Sequence, residues 1–343
     1  MKPIERMTNI QAGRPADRTP WVPSVYEHGA ALLGRSPTEV SRDADLMAQA
    51  ALKAFETYGH DIVTVGIDIY NIEAEAFGCG LASHEDDNSI PGVLTHPLRG
   101  DEPDVASLTV PQVGPGNRLG VIAKAVEQVV NRIGDQVWVY ACMGGPWSQA
   151  VELRGFEDLI ADLYSDKSRV HALMDKTAEL AIQHADRLCR LGAGVYLYES
   201  WATMPLIDPK IFEEFVVPYN RRVTQHVRAK FEVPPPAIIM GGNITLLMDY
   251  FVQAGTGLIA CDYNADFDFV RSRTAGRSIV VRGCVDPKAI ERGAWESLES
   301  AIGKLAAKSK GMVNFVWGCG CVSFKTPVES VLKFRDLCAA AGR

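Results

Sequence analysis

Eight short runs of aliphatic, β-branched or aromatic residues recur along the chain, at 21–25, 62–67, 137–141, 195–198, 237–240, 258–260, 279–281 and 313–317, and a stretch of helical spacing follows each. Several runs are apolar throughout rather than alternating, the pattern of parallel strands buried on both faces. After the third run, Val170, Leu173, Met174, Thr177, Ala181, Ala185 and Leu188 recur at intervals of three and four, an apolar stripe that fits against a sheet. Asp208-Pro209 and Asp286-Pro287 each set a cap before a first-turn proline, and Thr326-Pro327-Val328-Glu329 reads as a capping box. Eight β/α repeats predict an α/β protein of one closed (β/α)8 TIM barrel over residues 1–343, with an N-terminal extension and a long loop at 80–118. The rival, a doubly wound open sheet, has neither a Gly-x-Gly-x-x-Gly after the first run nor a phosphate-binding loop.

Charge narrows the partners. The chain has 42 acidic and 35 basic side chains, a net charge of -7, and no Lys/Arg cluster, which argues against a nucleic-acid groove or an anionic membrane surface. No apolar run approaches the roughly 18 residues that span a bilayer, and the start of the chain is polar, so a cytoplasmic location is expected. The eight cysteines are scattered along a large chain, the usage of reduced thiols rather than disulfides.

In a barrel of this kind the residues just beyond each strand face one pocket at the C-terminal rim. They are Tyr26, Glu27 and His28 after the first strand, Asp68 and Tyr70 after the second, and Cys142 and Met143 after the third. Glu199, Ser200 and Trp201 follow the fourth, Gly241, Gly242 and Asn243 the fifth, Cys261 and Asp262 the sixth, Cys284 and Asp286 the seventh, and Cys319 the eighth. The Gly/Pro/Asp-rich segments 80–118 and 142–156 are expected to be irregular rim loops. Thiolates at strand ends suit zinc, although a free cysteine often only packs there. Cys319 is the strongest of them. Gly318-Cys319-Gly320-Cys321 is too tight for both thiols to bind one ion, and Cys321 is expected in the following loop. His171 and His184 fall in an outer helix, and His60, before the second strand, is expected at the barrel bottom in a structural role. His28, His96 and Glu75 fall in rim segments, His96 and Glu75 being ligand or acid/base candidates. Tyr26, Tyr70, Trp147 and Trp201 would suit a flat or apolar ligand.

These residues also carry a resemblance. Glu5-Arg6-Met7 with Asp17-Arg18-Thr19-Pro20, Glu73-x-Glu75-Ala76-Phe77-Gly78, Gly145-Pro146-Trp147-Ser148, Tyr198-Glu199-Ser200-Trp201-Ala202, Gly242-Asn243, Gly283-Cys284-Val285-Asp286-Pro287 and Gly318-Cys319-Gly320 together make the chain similar to the uroporphyrinogen decarboxylase superfamily over almost its whole length. That superfamily includes the decarboxylase and the methyltransferases of corrinoid-dependent methyl transfer, and it implies a (β/α)8 barrel. Where the decarboxylases carry an arginine-bearing element after the first strand, this chain reads Val25-Tyr26-Glu27-His28-Gly29, an electrostatic mismatch for a tetrapyrrole polycarboxylate. The thiol-methylating branch binds zinc through His-x-Cys after the fifth strand and a Cys after the eighth; here Ile239-Met240-Gly241 stands in the first place and only Cys319 remains. A third branch, which begins O-demethylation of aromatic methyl ethers, has a proposed Glu-x14-Glu-x20-His pattern, met here by Glu75 and His96 but with His60 in the first position.

The resemblance therefore implies a corrinoid-dependent methyltransferase that takes a methyl group from a small donor, an aromatic methyl ether, to the cobalt of a separate corrinoid protein. Zinc is its expected metal, with Glu75, His96 and Cys319 as ligands and Cys284 in reserve. Asp68, Glu199 and Ser200 are expected to line the pocket or handle protons, and Tyr26, His28, Tyr70, Trp147, Trp201 and Asn243 to contact substrate. The alternatives are transfer from methylcorrinoid to a thiol or tetrahydrofolate, with Cys261, Cys284 and Cys319 rebuilding the metal site; a decarboxylase; or a barrel that only binds.

Overall fold

The computed structural model describes residues 1–68, 71–82 and 89–342. All eight apolar runs form strands: β1 (Trp21–Val25), β2 (Ile62–Val65), β3 (Trp138–Gly144), β4 (Gly194–Tyr198), β5 (Ala237–Ile239), β6 (Leu258–Cys261), β7 (Val280–Val285) and β8 (Phe315–Val322). They pair in parallel as two four-stranded sheets, β1-β8-β7-β6 and β2-β3-β4-β5. The sheets meet where β1 packs on β2 and β5 on β6, which closes the expected TIM barrel.

Alternation along each strand divides the core in two. Val22, Ile62, Tyr140, Tyr196, Ile239, Leu258, Val280 and Val316 fill the barrel, with Tyr140 and Tyr196 stacked at 4.1 Å. Val63, Val139, Leu197, Ile238, Ile259, Val281 and Trp317 face the surrounding helices. The stripe after the third strand lies on the helix Lys167–Cys189, and all seven of its residues are buried. The N-terminal extension stops the bottom of the barrel: the helix Pro3–Gln11 inserts Met7 and Ile10 among the interior residues. Each such side chain contributes about 1.5–3 kcal/mol by leaving water.

Three local expectations change. Segment 142–156 is not a loop, because β3 runs on to Gly144 and Pro146 opens the helix Pro146–Arg154. The 80–118 segment begins with an antiparallel pair, Gly80–Leu81 against Val93–Thr95, before the helix Arg118–Ile133. Asp208 and Asp286 cap their helices through Lys210 N and Lys288 N at 2.8 and 2.9 Å. Thr326 does not cap, since the helix Val328–Ala341 starts after Pro327 and the Thr326 hydroxyl lies 3.0 Å from Ser323 Oγ instead. Among the described residues no helix is long and apolar enough to cross a membrane.

His60 sits beneath the barrel between Trp21 and Phe55, at ring distances of 6.4 and 5.8 Å. Its Nδ1 has no hydrogen-bond partner among the described residues, and burial lowers its pKa from 6.5 to about 3. The folded chain therefore refuses a proton that the unfolded chain accepts. Stability is expected to be intact above pH 6.5 and to fall as pH drops towards about 3. Urea unfolding across that range should give a shallower fall in His60→Phe; an identical slope would remove His60 from the account.

Candidate active site

A cavity of about 1210 Å³ opens among residues that follow the strand ends, at the C-terminal mouth. Its aromatic wall comes from the turn Ser200–Ala202 after β4 and from the start of the helix Phe156–Ser165. Trp201 stacks on Phe156 at 5.6 Å and donates from Nε1 to Glu152 Oε1 at 2.6 Å. His96 donates from Nδ1 to the Glu152 carbonyl at 2.7 Å, and because a carbonyl only accepts, Nε2 is left as the acceptor nitrogen of the neutral ring. Gly155 stands behind it with φ +83°, between two helices, and a Cβ there would come within 3.6 Å of His96 Cδ2. Burial raises the Glu152 carboxyl against the opposing pull of Trp201, and burial raises Glu27 on the facing wall. At the floor, Tyr26 Oη and Tyr198 Oη are 2.5 Å apart, with Cys142 Sγ 3.6 Å from Tyr198 Oη.

A bulge decides which thiol reaches this space. Val22 pairs with Gly318 but Ser24 with Cys321, so β8 carries one more residue than β1 at Pro23, which has no N–H to pair. Before the bulge Phe315, Trp317 and Cys319 face the helices, and Cys319 is fully buried among them. After it Cys321 lines the cavity, while a Cβ on Gly320 would strike Pro287. The expectation that Cys319 faces the site and Cys321 lies in a loop is thus reversed.

Of the other expected site residues, Tyr26, His96, Ser200 and Trp201 line the cavity. Tyr70 lies outside the described residues. His28 is buried elsewhere, with Nε2 on Tyr58 Oη at 2.6 Å and Nδ1 on the Ser323 carbonyl at 3.1 Å. Trp147 is a core residue whose Nε1 donates to the Trp201 carbonyl at 3.1 Å, holding the aromatic wall from behind. Asn243 is exposed and accepts from Thr245 N at 3.0 Å in its own turn. Glu199 is buried under the wall, where it accepts from Trp147 N, Ser148 N and Asn220 Nδ2 at 3.2, 2.8 and 2.6 Å. Asp68 is buried against Arg118, with Oδ2 2.7 Å from Nη2.

The expected zinc ligands do not converge. Arg118 and Arg42 hold Glu75 at 3.0 and 3.2 Å, Cys319 faces the helices, and Cys284 lies inside β7 with its thiol on the Arg282 carbonyl at 3.6 Å. Among the described residues no three His, Cys, Asp or Glu side chains gather as a metal would require. A carboxylate already neutralised by two guanidinium groups and a thiol on the wrong face do not fit the ion. Sequence reasoning also missed Glu152 and Cys321 as cavity groups; the first lies in a segment read as loop, and the second depends on the bulge.

Comparison with known proteins gives the same architecture. Over 337 residues the chain is 28% identical to a "Methylcobamide:CoM methyltransferase MtbA" of Methanosarcina mazei, covering 96% of each chain. It is 27% identical to the protein of that name from Methanosarcina acetivorans, and 24% identical over 81% of its length to a "Uroporphyrinogen decarboxylase" of Alcanivorax borkumensis, of which it covers 76%. A solved "methyltransferase from Methanosarcina mazei" superposes with a TM-score of 0.82 at 19% identity, covering 99% of this chain and 98% of that one, a likeness of fold. The family model described as "Uroporphyrinogen decarboxylase (URO-D)" matches residues 2–340. With that match running from the helix that stops the barrel to the last helix of the ring, the chain belongs to the uroporphyrinogen decarboxylase family.

Proposed function

We propose that this chain is a corrinoid-dependent methyltransferase that takes a methyl group from a small aromatic methyl ether to the cobalt of a corrinoid protein. The observation that supports corrinoid-dependent methyl transfer is the similarity, over 96% of both chains, to relatives named methylcobamide:CoM methyltransferases; the ether donor rests on the cavity and on Glu152 as proton donor. The cavity agrees with it: Trp201 on Phe156 offers a flat apolar wall, and the open mouth leaves room for a partner's cofactor. A tetrapyrrole polycarboxylate would meet Glu27 after β1, where the decarboxylases carry arginine, with Arg99 and Lys325 as cations elsewhere in the lining, and that mismatch at β1 argues against decarboxylation of that substrate. Thiol methylation is the second reading, favoured by the same relatives' names, but Ile239 points into the apolar barrel interior and Gly241 has no side chain, so the usual soft ligands are missing.

No step needs to run through zinc. The ether C–O bond breaks, the methyl group goes to the acceptor, and the electron pair stays on the aryl oxygen, a poor leaving group unless a proton arrives. Glu152 is placed to supply it. Burial keeps its carboxyl protonated further up the pH scale, Trp201 orients it, and the acceptor nitrogen of His96 lies on the same wall. The test is to mix the chain with a corrinoid protein reduced to Co(I) and a panel of methoxylated aromatics, and to follow methylcobalt absorbance. Its absence across the panel overturns the ether reading. Glu152→Gln is expected to lower kcat about 100-fold. In the parent chain the rate should fall as pH rises through the raised carboxyl pKa, and that limb should be missing in the variant.

A further inference from the structure

Among the described residues four arginines are almost entirely buried, and three have carboxylate partners. Arg6 has Asp61 and Asp17, Arg118 has Asp68 and Glu75, and Arg154 has Asp162 and Asp158. Arg282, 3% exposed in the middle of β7, has none: among the described residues no carboxylate lies within ion-pair distance, and its Nε has no hydrogen-bond partner. The groups that face it are the Cys284 thiol and the phenols of Tyr26, Tyr196 and Tyr198, and the Tyr196 hydroxyl is also without a partner. Burial keeps all four in their uncharged forms. A guanidinium among neutral groups in a closed barrel is a costly arrangement unless something anionic joins it.

The register shows where the charge points. Arg282 pairs with Val316, and Cys284 with Gly318, one inward layer nearer the mouth. A Cβ on Gly318 would fall 2.5 Å from Arg282 Cγ and 2.7 Å from Cδ, so the side chain crosses Gly318 on its way towards the C-terminal end. Tyr26 and Cys321, both of which feel the Arg282 charge, line the cavity, and the 3%-exposed Arg282 lies just behind them. Elsewhere the lining mixes signs, with Glu27, Glu152 and Glu291 against Arg99 and Lys325, whereas Arg282 is a buried charge with no carboxylate partner among the described residues.

We propose that Arg282 makes the cavity floor a carboxylate site, so that the small ligand is an aromatic acid bound with its carboxylate down and its opposite end towards the mouth. Combined with the methyl-transfer reading, on which only this last step rests, the donor class is a methoxybenzoate whose methoxy group faces the acceptor. A planar carboxylate matches the fork of the guanidinium, and the hydroxyl pair of Tyr26 and Tyr198, one donating to the other, stands alongside.

The test compares 4-methoxybenzoate with its neutral analogue 4-methoxybenzamide, by calorimetry or tryptophan fluorescence on the full chain without corrinoid. The parent chain is expected to bind the acid at least about 10-fold more tightly than the amide. Arg282→Met should abolish that preference, weakening the acid far more than the amide. Arg282→Lys should retain part of it, and Gly318→Ala, which displaces the guanidinium without removing it, should weaken it should the Met variant fail to fold. Equal binding of the two probes, no binding of either, or a preference that survives in Arg282→Met overturns the site. The reaction fails separately: a carboxylate preference without methylcobalt formation sinks the methyl-transfer reading and leaves the site standing.

Discussion

Glu199→Ala is expected to cost about 3–5 kcal/mol of folding stability, a large part of what a domain has to lose. The buried carboxylate joins three pieces of chain, accepting from the first turn of the helix Pro146–Arg154 through Trp147 N and Ser148 N and from Asn220 on the helix Val217–Lys230. Alanine would strand the Trp147 and Ser148 N–H groups out of reach of water and leave Asn220 Nδ2 with the Val216 carbonyl alone, at 3.1 Å. Gly145 leaves no slack, because a Cβ there would lie 2.3 Å from Glu199 Cδ. Glu199→Gln keeps one acceptor oxygen and turns an amide N–H2 towards backbone donors, so its loss should be intermediate. Chemical denaturation measures both variants. A folded Glu199→Gln that keeps its kcat assigns the carboxylate to anchoring the wall; one that folds normally and loses kcat returns it to the proton chemistry expected from its place after β4.

Asp61→Ala should cost a similar amount, about 3–5 kcal/mol, at the other end of the barrel. Asp61 is fully buried and receives Arg6, two bonds from Arg18 at 2.8 and 3.1 Å, and the Trp21 N–H that opens β1 at 2.8 Å. Its removal leaves the Arg6 charge to Asp17 alone and frees the helix Pro3–Gln11 from the barrel it stops. The expected signs are a lower denaturation midpoint and early proteolysis in the first turns of the chain. Asp17→Ala is the control. That carboxylate is 39% exposed, so its bond to Arg6 is screened by water and its loss should be much smaller. Equal effects of the two substitutions would mean that burial of Asp61 does not matter.

The barrel was legible because its strands are apolar on both faces, and runs such as 195–198 and 258–260 allow little else. Ends were harder. The run at 279–281 stops where Arg282 begins, since a charged residue reads as a strand boundary, yet β7 continues to Val285 and carries that arginine inside. Gly144-Gly145-Pro146 looked like a loop because glycine and proline punctuate most chains, but this proline opens a helix and brings Glu152 to the cavity. Spacing was the weakest guide to the metal. Glu75 and His96 match an interval, but two arginines distant in sequence, Arg42 and Arg118, claim the carboxylate, and no interval encodes that.

The irregularity at Pro23 bears on how such a barrel changes its chemistry over time. Side chains on a strand face in or out by parity, and the extra residue in β8 flips that parity between Cys319 and Cys321. One residue gained in β1 opposite would remove the bulge, and Cys319 and Cys321, two apart on a regular strand, would then face the same side, hiding the open thiol with every other strand left in place. A single codon gained can therefore redecorate this cavity, a route to new substrates that leaves the scaffold untouched and that comparison of residue identities alone would overlook.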